Sequence, residues 1–155
     1  MATYVKFDDL SGDATDKDYP GYSRLERCNL SGVGTGIQNS VGTAEIPYSA
    51  PSFSTIQVVK TVDSVSPNLM AASWNGEVFK QVKIITQRGS VYYHTTLGNV
   101  RVSHYCESHT GSTSPKESFA LTYTTIEKRI DGKTADGQPM APVSIGYNLE
   151  SMKEM

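Results

Sequence analysis

Short runs in which apolar and polar side chains alternate with a period of two recur along most of the chain, separated by Gly, Pro, Ser and Asp, the signature of half-buried antiparallel strands. They predict strands over 3–7, 24–30, 55–62, 78–87, 90–97, 99–107, 117–128 and 142–149, about eight in all and enough for a barrel or sandwich. One segment breaks the pattern. After the β-branched run Val58-Val59-Lys60-Thr61-Val62, Ser66-Pro67-Asn68-Leu69-Met70-Ala71-Ala72-Ser73-Trp74-Asn75-Gly76 reads as a helix over 66–75. Ser66 is a suitable N-cap and Pro67 fits the first helical position, where its missing N–H costs nothing. Asn75-Gly76 supplies a left-handed stop.

In the strand after the helix, Val78, Val82 and Ile84 share one face, while Phe79, Gln81, Lys83 and Ile85 share the other. Both faces carry apolar groups, as expected of a sheet whose outer side is covered by another subunit. Gln87-Arg88-Gly89-Ser90 is a hairpin turn. By spacing, Gly98-Asn99 suits a two-residue hairpin turn, because Gly first in such a pair fits type II′. Residues 8–21, 31–51, 109–115 and 131–142 read as loops. The second is long for a compact domain, and such loops usually carry function.

The helical segment and its flanks resemble the haemolysin-coregulated protein family, the tube subunit of type VI secretion systems. Lys60, Asp63, Ser66, Pro67 and Leu69 occupy a K-x-x-D-x-x-S-P-x-L pattern leading into the family's main helix. Gly76-Glu77-Val78-Phe79 and Val82-Lys83-Ile84-Ile85 are similar to its continuation. Residues 93–103 and 117–123 resemble later strands in the same order, and residues 143–149 resemble the closing strand, with Tyr147 where the family carries tryptophan. Tyr4-Val5-Lys6-Phe7 and Asp9-Leu10-Ser11-Gly12-Asp13 are similar to the opening strand and turn, with Asp13 in place of glutamate.

The resemblance implies a mainly β fold, a two-sheet β-barrel with one short helix, as a single domain over residues 1–155; in place of the hairpin at Gly98-Asn99 it implies one long bent strand through residues 90–108 with a bulge at Gly98, and this bend is favoured. It implies a homo-hexameric ring that stacks on copies of itself and carries small effector proteins in its lumen, with a spike protein and a contractile sheath as further partners. The strand over 24–30 matches the family strand that lines the lumen, which makes Arg27 and Asn29 the expected lumen-facing residues. A slip of one residue would reverse them. The glycine-rich stretch with Gly32, Gly34, Gly36 and Asn39 lies in the expected ring-stacking loop.

Composition narrows the alternatives. A formal charge of −2 and a pI near 5.9 give no basic footprint of the kind phosphate neutralisation requires, which argues against nucleic acid. Six copies at −2 would carry −12, enough to bias which cargo a lumen tolerates. Lys6, Asp8 and Asp9 interrupt any apolar signal segment, and no run approaches the roughly 20 apolar residues of a helical span, so the expectation is a cytoplasmic protein that leaves through the type VI machine. Cys28 and Cys106 are expected to be reduced in that compartment.

Several constellations invite chemistry. His104, Cys106 and His109, with His94 upstream, hold zinc-ligating atoms, but their spacing lacks the paired clusters of a zinc motif. Cys106 with His104 would be a nucleophile and base only with an oxyanion-stabilising loop, and none is recognisable. The glycine stretch lacks both the third glycine of a dinucleotide fingerprint and the Gly-Lys-Ser/Thr of a P-loop. Asp8, Asp9, Asp13, Asp16 and Asp18 do not follow the calcium-loop order and read as turn residues. Tyr22, Tyr92, Tyr93, Tyr105, Tyr123 and Tyr147 sit in or beside strands, where tyrosine commonly packs, although with Trp74 they would also suit a lectin-like sandwich. The leading expectation is a structural tube subunit with no cofactor, no metal and no enzymatic activity. A sugar-binding module and a small thiol hydrolase are the alternatives.

Overall fold

Inward-facing Val5 and Phe7 on the first strand set the phase of a closed wall. The computed structural model describes residues 1–8, 10–37 and 48–155. In chain order its elements are β1 (Ala2–Phe7), β2 (Ser23–Leu30), β3 (Val33–Ile37), β4 (Tyr48–Phe53), β5 (Ile56–Thr61), α1 (Ser66–Asn75), β6 (Phe79–Arg88), β7 (Val91–Ser108), β8 (Lys116–Thr122), β9 (Thr125–Gly132), β10 (Val143–Asn148) and β11 (Lys153–Glu154). The strands β7-β6-β1-β2-β5-β8 run antiparallel to one another, and pairing of β8 with β7 closes them into a barrel. Strands β9, β10 and β11 extend the same sheet outward from β7, and β3–β4 form a second, small sheet. The expected mainly β barrel with one short helix is therefore present. Among the described residues no helix is long and apolar enough to cross a membrane.

The long bent strand is also present. Val91–Gly98 of β7 pairs with β9, and Arg101–Ser108 pairs with β8. No bulge marks Gly98, however, because the register with β6 runs unbroken from Val82↔Leu97 through Gln81↔Gly98 to Phe79↔Val100. The bend comes from Asn99, whose φ of 51° is left-handed, a conformation asparagine tolerates better than most residues. The ladder irregularity lies farther along, between Ser103 and Cys106, where His104 takes φ 54°. Beyond the bend, the expected face assignment in β6 slips by one residue. Phe79 is buried and Val78 is exposed, the reverse of strict alternation from Val82. Asp8 holds this kink, its two carboxylate oxygens accepting the Lys80 and Gln81 N–H groups at 2.7 and 2.7 Å.

Two further expectations are corrected. The strand over 117–128 is two strands, β8 and β9, broken at Tyr123-Thr124, where the Thr124 N–H donates to the Gly98 carbonyl at 3.0 Å. Both halves remain on β7, so the break follows the bend of their shared partner. Within the long loop expected over 31–51, residues 33–37 and 48–51 belong to a two-stranded arm. Leu30↔Ile56 ends the β2–β5 ladder, and Val33↔Phe53 resumes it as β3–β4 in the same register. Ser54 bridges the gap, its N–H donating to the Gly32 carbonyl at 2.9 Å while its hydroxyl accepts the Gly32 N–H at 3.1 Å.

The helix spans the expected residues, and Gly76 closes it at φ 71° with its N–H donating to the Ala72 carbonyl. Ser66 is not its N-cap. Val65 takes that position without a side-chain bond, and the Ser66 hydroxyl turns into the barrel instead. Val65, Leu69 and Ala72 face the core, beside the aromatic cluster in which Phe7 meets Phe79 at 5.4 Å and Phe119 at 6.0 Å. Burying each such large apolar side chain contributes about 1.5–3 kcal/mol.

Candidate functional site

Alternation that turns apolar groups inward leaves a polar outer face on β2, β5, β8 and the second half of β7. The rows of this face follow the ladder: Asn29↔Gln57, then Gln57↔Ala120 and Ala120↔Ser103; beside it Arg27↔Val59 and Val59↔Ser118, with Ser118↔Cys106. A bulge decides where Arg27 points. Simple alternation from inward Leu25 would turn Arg27 inward too, but the β2–β5 register shifts between them, so Arg27 and Asn29 are exposed while Cys28 and Leu30 pack against the core. Both expected lumen residues thus share one exposed face.

This four-strand face has a free margin on each side. β1 covers β2 only at Ser23–Leu25, leaving Arg27–Leu30 without a strand on that side. At the other margin β6 reaches only as far as Val100, and among the described residues no strand pairs with Arg101–Ser108 opposite β8. Of the expected stacking residues, Gly34 and Gly36 lie in β3 and Gly32 precedes it, while Asn39 is outside the described residues. A Cβ at Gly32 or Gly34 would meet nothing within 4 Å. The arm is bare there.

Beneath the helix N-terminus lies a charged network that sequence reasoning did not identify as a site. Lys60 is fully buried and its Nζ lies 2.5 Å from Glu117 Oε1 and 2.7 Å from Asp63 Oδ1. The Ser66 hydroxyl donates to Glu117 Oε1 at 2.9 Å and accepts the Asp63 N–H at 2.9 Å; the Tyr105 hydroxyl donates to the other Glu117 oxygen. The Ser23 hydroxyl donates to Asp63 Oδ2 at 2.8 Å. Lys60, Asp63 and Ser66 of the family pattern therefore meet in space, joined by Glu117 from 51 residues beyond Ser66. Phase was the available signal. Lys60 alternates with Ile56 and Val58, and Glu117 with Phe119 and Leu121, so each ionic side chain stands at a core position. Lys60 is 3.5 Å from the Ser66 hydroxyl, yet this pair is not a nucleophile and base, since two carboxylates hold the ammonium and both residues are sealed from solvent.

The other candidates disperse. His104 bonds Ser103, His109 bonds Glu107 and His94 bonds Asp131, and among the described residues no three ligating side chains converge on a metal position. Cys28 shares the inner row with Val58 and Phe119, whereas Cys106 is exposed on the outer row, so the wall separates the two free thiols. Burial raises the Cys28 thiol pKa. Tyr105, Tyr123 and Tyr147 pack against the main core, and Tyr22 and Tyr92 support a second cluster of Tyr4, Tyr19 and Ile85 beneath the first loop. Tyr93 is exposed, as are Trp74 and Met70 on the outer stripe of α1.

Asp9 lies outside the described residues, and the other first-loop aspartates serve local geometry. Asp13 accepts the Ser64 hydroxyl and N–H, which lowers its pKa; Asp16 accepts the Asp18 N–H and the Tyr4 hydroxyl, with the same result. Glu107 is lowered by the Tyr105 hydroxyl and then by His109. A lowered carboxylate pKa contributes stability that is present above the unfolded value, near 4, and is lost as pH falls through the folded value. The urea midpoint is therefore expected to fall from pH 6 to pH 3, and the Asp13→Asn/Asp16→Asn variant to show a shallower fall. Burial, followed by its bond to Glu117, raises the Tyr105 pKa, so its hydroxyl stays protonated.

The model of the family described as "Type VI secretion system effector, Hcp" matches residues 4–129. Among solved structures, one described as a type six secretion system protein superposes with a TM-score of 0.89 at 21% identity, covering 99% of this chain and 99% of that one. Hcp1 from Salmonella typhimurium superposes at 0.76 with 17% identity, covering 99% and 98%, and Hcp2 from the same organism at 0.70 with 15% identity, covering 99% and 100%. At these identities the structural likeness concerns the fold. No protein with a curated description matches the chain.

Proposed function

The chain belongs to the Hcp family of type VI secretion system effectors, and from that premise we propose that it is a tube subunit, closing into a ring of six whose lumen is lined by the β2–β5–β8–β7 face. The observation that carries this reading is the pair of free margins on that face. Among the described residues no strand pairs with the outer side of Arg27–Leu30 of β2 or of Arg101–Ser108 of β7, on opposite sides of one sheet. Unpaired strand edges are templates for another chain. Two different margins make a head-to-tail contact, which closes into a ring when the rotation per subunit is right. One continuous sheet would then line the aperture, with Arg27 and Asn29 turned into it.

The β3–β4 arm, which pairs only with itself among the described residues, is the natural element to reach a neighbouring ring, with Gly32, Gly34 and Gly36 in the contact. The whole chain acts as one domain. Family membership supports spike protein, contractile sheath and small effectors as partners, and export through the type VI machine as the route out of the cytoplasm. The work is mechanical: the subunit supplies shape and surface and makes no bonds. Light scattering after size exclusion is expected to give particles of about six times the 16.9 kDa chain, annular in negative stain. A monomer at high concentration would defeat the reading.

A further inference from the structure

We propose that the β2–β5–β8–β7 face docks protein cargo with an acidic surface, with Arg27 and Arg101 as the principal contacts. The inference rests on the tube reading above and names the cargo class that lumen would take. Its basis is the sign of the face. The ladder places Arg27, Lys116, Glu26 and Arg101 on or at the rim of this face. Lys116 and Glu26 neutralise one another at 2.9 Å. Arg27 and Arg101 are exposed, and neither has an ion-pair partner among the described residues. With exposed Arg24 of β2 and exposed Glu107 of β7 included, four cations stand against two carboxylates, although the chain as a whole carries −2. The lining is opposite in sign to the molecule.

The two arginines sit at opposite margins of the four strands, about 14 Å apart across the sheet and about 13 Å along it. A head-to-tail seam would bring Arg101 of each subunit to the same boundary as Arg27 of the next, giving two tiers of guanidinium around the aperture. Charges of one sign lining an aperture favour ligands of the opposite sign, an effect that added salt weakens because the screening length is about 8 Å at physiological ionic strength. A guanidinium fork suits carboxylates in particular, because it offers two parallel N–H donors. Asn29, Gln57 and Ser103 lie between the tiers, Ser118 shares the Arg27 row and Thr122 the Arg101 row, and all add neutral hydrogen-bonding groups to the same face.

Protein is favoured over nucleic acid by what the face omits. Strand-binding surfaces for single-stranded nucleic acid use aromatic platforms on which bases stack. Tyr105, at the β7 irregularity, turns inward onto Phe119, with ring centroids 6.4 Å apart at 11°. The remaining groups in the rows are aliphatic or small and polar.

Fluorescence anisotropy with labelled poly-L-glutamate, poly-L-lysine of the same length and single-stranded oligothymidylate tests this on the intact protein, with light scattering on the same samples. Poly-L-glutamate is expected to bind in a salt-sensitive way and poly-L-lysine not to bind. Arg27→Gln/Arg101→Gln should weaken binding by about tenfold or more, the loss of at least one charge-assisted contact, while Arg27→Lys/Arg101→Lys, which keeps the charge and loses the fork, should fall between the parent and the glutamine variant. Equal binding of both peptides, tighter binding of oligothymidylate, or no effect of the glutamine substitutions would overturn the proposal. Annular particles without a preference for poly-L-glutamate sink the cargo assignment and leave the tube. Monomers that bind poly-L-glutamate through the arginines sink the tube and leave the acidic preference standing.

Discussion

Lys60→Met is expected to lower the melting temperature by roughly 6–20 °C, corresponding to a loss of about 3–5 kcal/mol. The reason lies in what remains behind. Methionine fills much of the lysine volume, so little packing is lost, but Glu117 is left without its counter-charge at the barrel interior with its side chain fully buried. Ser66 and Tyr105 still donate to it, yet hydrogen bonds from neutral hydroxyls do not replace a counter-charge in a region with little water. Asp63 suffers less, because its side chain is 14% exposed and keeps the Ser23 bond. The double variant Lys60→Met/Glu117→Leu should regain most of the loss, since replacing both members of a buried pair by apolar groups is often neutral or better. Urea denaturation of the two variants checks both statements. A single variant within about 1 kcal/mol of the parent would show that the ion pair is not what seats the helix.

The same network marks the boundary of what could be read from residues alone. The helix was legible to its last residue because its signals are local: Pro67 at the start, Gly76 at the stop and the end of β-branched alternation between them. The role of Ser66 was not, because a serine before proline looks like a cap whether its hydroxyl bonds the helix or Glu117. Arg27 and Asn29 share one exposed face, but that exposure depends on a bulge beside Glu26 that no residue type announces. The arm was hidden by its glycines. Val33-Gly34-Thr35-Gly36-Ile37 has weak strand preference and becomes a strand by prolonging the β2–β5 ladder, a long-range effect. The break at Tyr123-Thr124 is of the same kind, because both residues favour strands and only the bend at Asn99 in their partner divides them. The expectation of a ring with a lumen came from the family resemblance, since charge and periodicity alone also allowed a lectin-like module.

Leu69→Ala should cost about 2–5 kcal/mol, since Leu69 is fully buried and is the largest apolar group that α1 lowers into the barrel. Val65 and Ala72 flank it on the same stripe, and neither is long enough to fill the space it leaves. Alanine is the better helix former, so any loss reflects the seat of the helix and not its intrinsic preference. That distinction makes a second measurement decisive. Ser66, one turn earlier, ties the same helix to Glu117, so the apolar seat and the ionic tie hold one element from neighbouring points. If α1 docks as a unit, Lys60→Met/Leu69→Ala should cost less than the sum of the single losses by about 0.5–3 kcal/mol, because whichever change loosens the helix first spares the second its full effect. Exposed Met70 and Trp74 on the opposite stripe provide the contrast, and their replacement by alanine should move stability by no more than about 0.5 kcal/mol. Strict additivity of Lys60→Met and Leu69→Ala in urea titrations would mean that the two grips act on separate parts of the barrel.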